Sequence, residues 1–321
     1  MDLIYTNSLH EDEGVLHDFS FDLAFGADEN DFELTVNSQK GCCEKNSLVY
    51  IEGTEYGGIV DGMKVSTKND SLVYNGRTWH GILASKIIEP DANEPHLLVS
   101  GEANSVVSSI IERVGLSRMF AASAEDSGLT IAAYTMDRYI DAYSGIQKML
   151  ATVSGKLKFT YRDGKVVLTA LPLVDYSQDE QFDSTQVEMD VSKSFNPINH
   201  LICLGKGELT ERQVIHLYAD TKGNISETQS LFGIDERTAV YDYSSAESEE
   251  VLKSKGIEKL LEYASGGSAK MNFDTESNMY DVGDIVGTRE VITNTFVKEK
   301  ITKKIVSIDK GNTNIEYKVG G

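Results

Sequence analysis

The sequence has 321 residues, a mass of 35.3 kDa and 40% hydrophobic residues, which is enough for two or three domains with a sizeable core. Its formal charge of -21 at pH 7 argues against general nucleic-acid binding, because phosphate recognition depends on Lys and Arg. No apolar run approaches the length of about 18 residues that indicates a membrane span, and the first residues lack the basic start and apolar stretch of a signal peptide.

Short strands punctuated by glycine are predicted for residues 1–99. Apolar and polar residues alternate, which is the period of a strand with one buried face. The alternating apolar residues are Phe19, Phe21, Leu23 and Phe25, then Phe32, Leu34 and Val36. The dipeptide Asn75–Gly76 predicts a two-residue hairpin turn, followed by a strand over Arg77–Leu83. This segment therefore indicates an antiparallel barrel or sandwich.

Residues 100–192 show helical spacing as well as strands. One predicted helix carries Val106, Val107, Ile110, Ile111 and Val114 on one face and ends at Gly115. A second lies within Tyr139–Val153, with Ile146, Met149, Leu150 and Val153 on its apolar face. The turn Asp163–Gly164 between alternating residues predicts a β-hairpin. The segment is therefore a mixed α/β region.

Strands resume after residue 192 and are interrupted by one helix. Asn196–Pro197 indicates a turn and a boundary. Ser244–Ser245 is predicted to cap the helix, and Gly266–Gly267 to end it. Its predicted buried face consists of Ile257, Leu260, Leu261 and Ala264. The predicted closing strands include Ile285–Gly287, Ile301–Ile308 and Ile315–Val319.

The order of these segments predicts an α+β protein that is mainly β. We expect an N-terminal antiparallel β-barrel domain over 1–99, a central α/β domain over 100–192, and a C-terminal β-barrel domain with one helix over 193–321. The two end segments are expected to be related barrels, although no short internal repeat is visible in the sequence.

Charge is unevenly distributed along the chain. Residues 1–55 are rich in Asp and Glu and contain only Lys40 and Lys45 as basic residues, whereas lysines gather after residue 297. One interpretation is a soluble surface with random patches. The other is that the two segments form opposite ends of a stacked assembly. The lysines concerned are Lys298, Lys300, Lys303, Lys304, Lys310 and Lys318.

No residue pattern predicts a catalytic, cofactor or metal site. Histidine spacing fits no metal-binding helix, and Asn199–His200 is interpreted as capping a strand. The adjacent Cys42–Cys43 pair belongs to no Cys-x-x-Cys motif and fits a loop, while Cys203 reads as a core residue. The six histidines are His10, His17, His80, His96, His200 and His216.

Carboxylate and glycine-rich stretches do not add up to an active site either. Asp281, Asp284 and Glu290 flank glycines, and Glu208 lies near Glu211, but nothing in the spacing implies the cleft that a glycosidase needs. The stretch Gly205–Glu208 lacks the pattern of a phosphate-binding loop, and no Gly-x-Ser-x-Gly motif occurs. We therefore expect no enzyme and no cofactor.

Three blocks of the sequence resemble the tail-associated hub proteins of siphophages and prophages, which are similar to the baseplate hubs of contractile phages. The blocks span nearly the whole chain in the family's order. They are Tyr74–Ile88, with Gly-Arg-Thr-Trp at its centre, Asn199–Leu209 and Tyr280–Gly287, supported by Tyr139–Leu150 and Asp175–Ser177.

The resemblance implies a structural role at a virion tail tip. It implies a homotrimeric ring that closes or extends the tail tube, in which two related tube domains per subunit present a pseudo-sixfold face. The implied partners are the distal tail protein, the tube and the tape-measure protein. DNA would pass through the lumen without specific binding, no membrane insertion is expected, and synthesis would be in the host cytoplasm. Since the chain stops at Gly321, we expect no receptor-binding or cell-wall-cleaving extension.

Two other function classes stay open at this stage. A tail-associated peptidoglycan hydrolase or protease would need a nucleophile, base or metal arrangement, which the sequence does not show. A carbohydrate-binding receptor module would need clustered aromatic residues, whereas the tyrosines are spread singly. For the hub, three chains of -21 would bring a charge of -63 to the ring, and we expect acids of residues 1–55 to line its lumen.

Overall fold

The computed structural model describes residues 2–37, 41–66, 71–177, 181–182, 188–193, 197–246, 248–264, 267–275, 280–290 and 295–320. They form two compact units. Unit 1 comprises Met1–Met189 with Lys270–Gly321, and unit 2 comprises Asp190–Ala269. Strands predominate over helices, which confirms the predicted α+β, mainly β class.

The first part of unit 1 is a set of strands that ends in a short helix. Alternate side chains of the strand Ser71–Thr78 are buried, as the period of two requires. The strands are β1 (Leu3–Thr6), β2 (Asp12–Leu16), β3 (Ser20–Gly26), β4 (Asp31–Asn37), β5 (Leu48–Tyr50), β6 (Gly57–Ser66) and β7 (Ser71–Thr78), and the helix is α1 (Trp79–Ala84).

The hairpin turn predicted at Asn75–Gly76 is wrong. Both residues lie inside β7, where Asn75 pairs with Glu33 of β4 and Gly76 with Val60 of β6. Gly76 is needed here because a Cβ at its position would lie 1.9 Å from the carbonyl oxygen of Ile59. The close approach of two strands, and not a turn, explains this glycine.

The strand predicted beyond that turn is wrong from Trp79 onward. Trp79–Ala84 forms α1, which begins where the Thr78 hydroxyl accepts a hydrogen bond from the Gly81 N–H at 3.3 Å. Trp79 and Leu83 are fully buried, so the helix anchors the end of β7 in the core that it shares with the central region.

The central region has the predicted mixture of helices and strands. α2 ends before Gly115, whose φ of +73° suits a residue that terminates a helix, and the apolar face of α3 is buried. Asp163 (φ +52°) and Gly164 (φ +72°) form the predicted hairpin turn. The elements are β8 (Leu98–Glu102), α2 (Ala103–Arg113), β9 (Phe120–Ala122), β10 (Thr130–Thr135), α3 (Ala142–Ala151), β11 (Gly155–Arg162), β12 (Lys165–Pro172) and β13 (Gln181–Phe182).

Unit 2 is a four-stranded sheet with one helix packed on it. Leu201, Cys203 and Leu217 face the helix and are buried, which confirms Cys203 as a core residue. The strands and helix, including the two strands through which the chain enters and leaves the unit, are β14 (Glu188–Lys193), β15 (His200–Leu204), β16 (Val214–Ala219), β17 (Ile225–Ser226), β18 (Thr238–Asp242), α4 (Glu249–Ala264) and β19 (Gly267–Thr275), with 3-10 turns at Leu209–Glu211 and Gly233–Asp235.

The predicted helix in this unit exists, but two of its details are wrong. The Val251 N–H donates to the Ser248 hydroxyl at 3.3 Å, so Ser248 and not Ser244–Ser245 caps α4. Leu260 is fully buried, whereas Leu261 is 52% exposed. Asn196 and Gly266 lie outside the described residues. No helix in the described part of the chain combines the length and apolar character needed to span a membrane.

The strands at the two ends of the chain belong to one sheet. After β19 the chain forms β20 (Ile285–Glu290), β21 (Thr295–Asp309) and β22 (Asn312–Val319). The sheet curls as a half-barrel, and ten of its strands run in the order β19–β22–β21–β3–β4–β7–β6–β5–β1–β2. β21 pairs antiparallel with β3 from Lys303 opposite Gly26 to Asp309 opposite Ser20.

This pairing makes the two compact units a different division of the chain from the three predicted segments, although unit 2 begins at Asp190, close to the predicted limit at 192/193. Residues from 270 onward join the sheet of the N-terminal strands, so the segment 193–321 divides between both units. The physical reason is the unpaired edge of β3, whose backbone groups need the partner that β21 supplies. The division into domains 1–99, 100–192 and 193–321 stays a prediction.

Replacing Gly76 with Ala should destabilise unit 1. The added methyl would collide with the Ile59 carbonyl and push β6 and β7 apart, at a cost of about 2–3 kcal/mol. The control is Gly41→Ala, because the nearest atoms to a Cβ at Gly41 are 3.8 Å away and a change within about 0.5 kcal/mol is expected. Urea unfolding measures both, and equal effects would contradict this account of Gly76.

Candidate assembly surface

A shallow groove on the exposed face of the large sheet has five carboxylates among its lining residues. Its volume is about 490 Å³, and β3, β4, β6, β7 and β21 contribute to it. Asp22 on β3 lies directly opposite Glu33 on β4. Like charges at opposed positions reduce sheet stability, so this pair does not serve the fold. The charged residues of this acidic groove are Asp22, Glu29, Asp31, Glu33, Asp61, Lys64 and Arg77.

The two basic residues of the acidic groove each lie beside a carboxylate of the same groove. A bulge at Val60–Gly62 turns Asp61 toward Arg77, which donates from Nε and Nη2 to the two carboxylate oxygens at 2.8 Å each. The hydrogen bonds from Arg77 hold the pKa of Asp61 below its usual range. Lys64 Nζ lies 3.9 Å from a Glu33 oxygen. The five carboxylates thus exceed the two cations, and the groove carries net negative charge.

The acidic and basic segments of the sequence lie side by side. Lys303 pairs with Glu29 and with Asp28 at 3.2 Å, and Lys304 pairs with Glu55 at 2.5 Å. The hypothesis that the two segments form opposite ends of an assembly is therefore wrong for these residues. Antiparallel pairing of β21 with β3 brings Lys303 against the β3–β4 loop, where the acids compensate its burial.

Lys304 is a fully buried cation in unit 1. Its ammonium pairs with Glu55, which is 12% exposed, and it lies 3.5 Å from the carbonyl oxygen of Tyr280. An ammonium in such a place needs both a carboxylate and electron-rich surroundings to offset lost hydration. The aromatic rings with centres 5.7 Å from Nζ are those of Phe25, Tyr56 and Tyr317.

A second buried ion pair joins the central region to the block Tyr280–Gly287. Lys156 donates to both oxygens of Asp284, at 2.8 and 2.7 Å, and to Asp281 at 2.7 Å. Burial disfavours the ammonium, but these hydrogen bonds outweigh it and raise the pKa of Lys156. Asp284 also accepts from the Val174 N–H at 2.8 Å. The two aspartates are therefore structural, and the sequence spacing alone could not reveal their partner, which precedes Asp281 by 125 residues and Asp284 by 128.

The histidines weighed as candidate ligands have structural surroundings. His80 is buried against Phe25, with ring centres 4.4 Å apart, and burial together with Lys304 holds its pKa well below the usual range. His200 bridges Glu236, at 2.7 Å from Nδ1, and His216, at 2.9 Å from Nε2. Among the described residues, no group of three or more His, Cys, Asp or Glu is placed to hold a metal ion.

The other candidates are scattered over the chain. The Asn199 amide donates to the Asp235 carbonyl at 2.7 Å and accepts from the Arg237 N–H at 3.1 Å, which agrees with a capping role. Glu208 and Glu211 form one exposed turn. The Cys42–Cys43 pair lies in the loop between β4 and β5. The geometry thus offers a charged surface on the sheet and no assembled reaction centre among the residues singled out in the sequence.

Comparison with known proteins finds likeness only at the level of structure. No known protein family and no curated protein matches the sequence. The tail protein from Neisseria meningitidis MC58 is 11% identical with a TM-score of 0.55, over 100% of this chain and 96% of that one. Prophage tail protein gp18 from Listeria monocytogenes EGD-e is 12% identical with a TM-score of 0.58, over 99% and 94% of the two chains.

A third solved structure extends the same likeness. The 43 kDa tail protein of prophage MuSo2 from Shewanella oneidensis is 11% identical with a TM-score of 0.58, over 99% of this chain and 98% of that one. All three likenesses run over almost the full length of both chains. The chain therefore has the fold of phage and prophage tail proteins, which confirms at the level of fold the resemblance seen in the three sequence blocks.

Replacing Asp284 with Asn should destabilise the protein by about 3 kcal/mol. The change weakens two of the three charge-assisted hydrogen bonds of the buried Lys156 ammonium and leaves Asp281 as its one carboxylate partner, and disrupting a buried ion pair is costly. The matched control is Asp91→Asn, which breaks the exposed Arg113–Asp91 pair and should cost less than about 1 kcal/mol. Urea unfolding measures the free energy of unfolding of both variants. Similar decreases in the two would show that the buried ion pair contributes no more to stability than the exposed one.

Proposed function

We propose that this chain is the structural hub of a phage or prophage tail tip, a trimeric ring that closes or extends the tail tube. The observation that carries the proposal is the fold likeness to tail proteins from three bacteria over at least 94% of every chain compared. A likeness of this extent leaves no large region of the chain for a different architecture. The role is structural, in the assembled virion, after synthesis in the host cytoplasm.

The shared sheet supports a ring in which both ends of the chain contribute. Three subunits with two tube domains each, one from 1–99 and one from 193–321, would present six similar surfaces to a sixfold tube. Within one subunit, the antiparallel pairing of β3 with β21 joins strands from both segments in one continuous sheet. The proposed partners are the distal tail protein, the tail tube and the tape-measure protein, together with two further copies of this chain.

The proposed hub has no catalytic activity. The alternatives, a tail-associated peptidoglycan hydrolase or protease and a carbohydrate-binding receptor module, find no specific support in the surroundings of the candidate residues. The carboxylate pair Asp281–Asp284 is committed to Lys156, and His80 is held neutral in the core. These groups serve the packing of unit 1.

Tail tips that contain this protein should hold three copies of it. Ring formation in dilute solution can be weak, because association must offset the loss of rigid-body freedom before neighbouring rings bind. Mass measurement of purified tail-tip complexes, with a fluorescently labelled subunit counted by stepwise bleaching, tests the number. One or six copies per tip would contradict the hub proposal.

We propose further that the acidic groove faces the lumen and keeps DNA from adhering. Carboxylates on the inner wall repel phosphate, whereas Lys and Arg would bind it. The double variant Asp22→Lys, Glu33→Lys places two cations beside Lys64 and Arg77, and should bind duplex DNA at least about tenfold more tightly than the wild type.

The control is Glu94→Lys, Glu211→Lys, which makes the same change in net charge at two exposed sites outside the groove. Fluorescence anisotropy with labelled duplex DNA, repeated at several salt concentrations, separates local from overall charge. Equal affinity of the two double variants, or micromolar affinity of the wild type at physiological salt, would contradict a DNA-repelling role of the acidic groove.

A further inference from the structure

The proposed hub function makes no use of the adjacent cysteines in the loop between β4 and β5. Cys42 and Cys43 are both partly exposed, and their sulfur atoms lie 3.6 Å apart. By contrast, Cys203 is fully buried in unit 2, where burial raises the pKa of its thiol. Two partly exposed thiols at this separation can interact with each other and with a small reagent from solvent. The buried Cys203 thiol is accessible neither to another thiol nor to such a reagent.

A buried tyrosine fixes the position of the pair. The hydroxyl oxygen of Tyr74, on β7, accepts hydrogen bonds from the N–H groups of Cys42 and Cys43 at 3.0 and 3.1 Å. Since Tyr74 is only 2% exposed, its hydroxyl is a rigid anchor for the loop. The same hydroxyl also stabilises the Cys42 thiolate.

The two thiols are chemically different. The hydrogen bond with Cys43 is the main cause that lowers the pKa of Cys42, with Tyr74 contributing after the opposing effect of burial. The hydrogen bond with Cys42, followed by burial, raises the pKa of Cys43. These directions favour Cys42 as the nucleophile of the pair, because thiolates and not thiols attack disulfides, with Cys43 keeping its proton until a later step.

We propose that Cys42 and Cys43 form a reversible redox site that closes to a disulfide by exchange with a small-molecule disulfide such as glutathione disulfide. The Cys42 thiolate attacks one sulfur of the reagent, forms a mixed disulfide and releases one thiolate. That thiolate takes the proton of Cys43, whose sulfur then attacks the sulfur of Cys42 and releases the second thiolate. Two cysteine thiols are oxidised by two electrons, and one disulfide is reduced to two thiols.

Geometry makes this disulfide a labile one. The Cα atoms of consecutive residues are about 3.8 Å apart across a trans peptide, closer than the usual disulfide range of about 4.4–6.8 Å. Strained disulfides are readily reduced and belong to the labile class, unlike structural crosslinks. The site would thus stay reduced in a cytoplasm and close in an oxidising medium, independently of the hub function.

The test uses the full chain, glutathione disulfide and tryptic digestion. Cleavage after Lys40 and Lys45 releases Gly41–Lys45 with both cysteines, so closure lowers the mass of one peptide by about 2 Da and dithiothreitol restores it. Cys203→Ala should react as the wild type does. Cys43→Ser should stop at the mixed disulfide with glutathione, and Cys42→Ser should form its mixed disulfide at least about tenfold more slowly.

A second variant tests the anchor. Tyr74→Phe removes the hydroxyl, so the pH at which iodoacetamide alkylates Cys42 at half its maximal rate should rise relative to the wild type. A wild type that accumulates the mixed disulfide without closing would overturn the proposal. So would equal reaction rates of Cys42→Ser and Cys43→Ser, or an alkylation profile that Tyr74→Phe leaves unchanged. None of these outcomes bears on the copy number in tail tips.

Discussion

The fold of unit 1 depends on the pairing of β21 with β3 and on the buried lysine that this pairing carries into the core. Removing an ammonium from water costs several kcal/mol unless a carboxylate and further acceptors replace its hydration. Lys304 obtains Glu55, the Tyr280 carbonyl and three aromatic rings only when residues from both ends of the chain are in place. Correct assembly of the sheet is therefore a condition for burying this charge.

The two faces of the same sheet are under different constraints. The inner face must be apolar or ion-paired to hold the core, whereas the exposed outer face is free to carry charge. Opposed acids such as Asp22 and Glu33 reduce sheet stability, and the fold tolerates them because the inner face supplies the stability. A surface that carries charge of one sign at the expense of stability is typical of a functional surface. For this chain, the proposed function of the surface is to form a wall along which DNA slides.

The likeness to solved structures defines the fold, whereas individual side chains give this chain properties that the fold alone does not determine. Identities of 11–12% carry architecture but do not carry particular side chains. The acidic groove and the Cys42–Cys43 pair are properties of this sequence on that architecture. They are physically independent, since one is an electrostatic field over a sheet and the other is a local thiol pair anchored by Tyr74.

The sequence by itself determined the features that depend on neighbours within a few residues: the mainly β class, the helical faces around Ile110 and Ile146, and the turn at Asp163–Gly164. Only the tertiary structure decided what Asn75–Gly76 and Lys304 do. Gly76 leaves room for the Ile59 carbonyl of another strand, and the positive charge of Lys304 is balanced by Glu55, which lies far away in the sequence. Local periodicity contains no information about such partners, because strand pairing and charge burial join residues that the sequence separates.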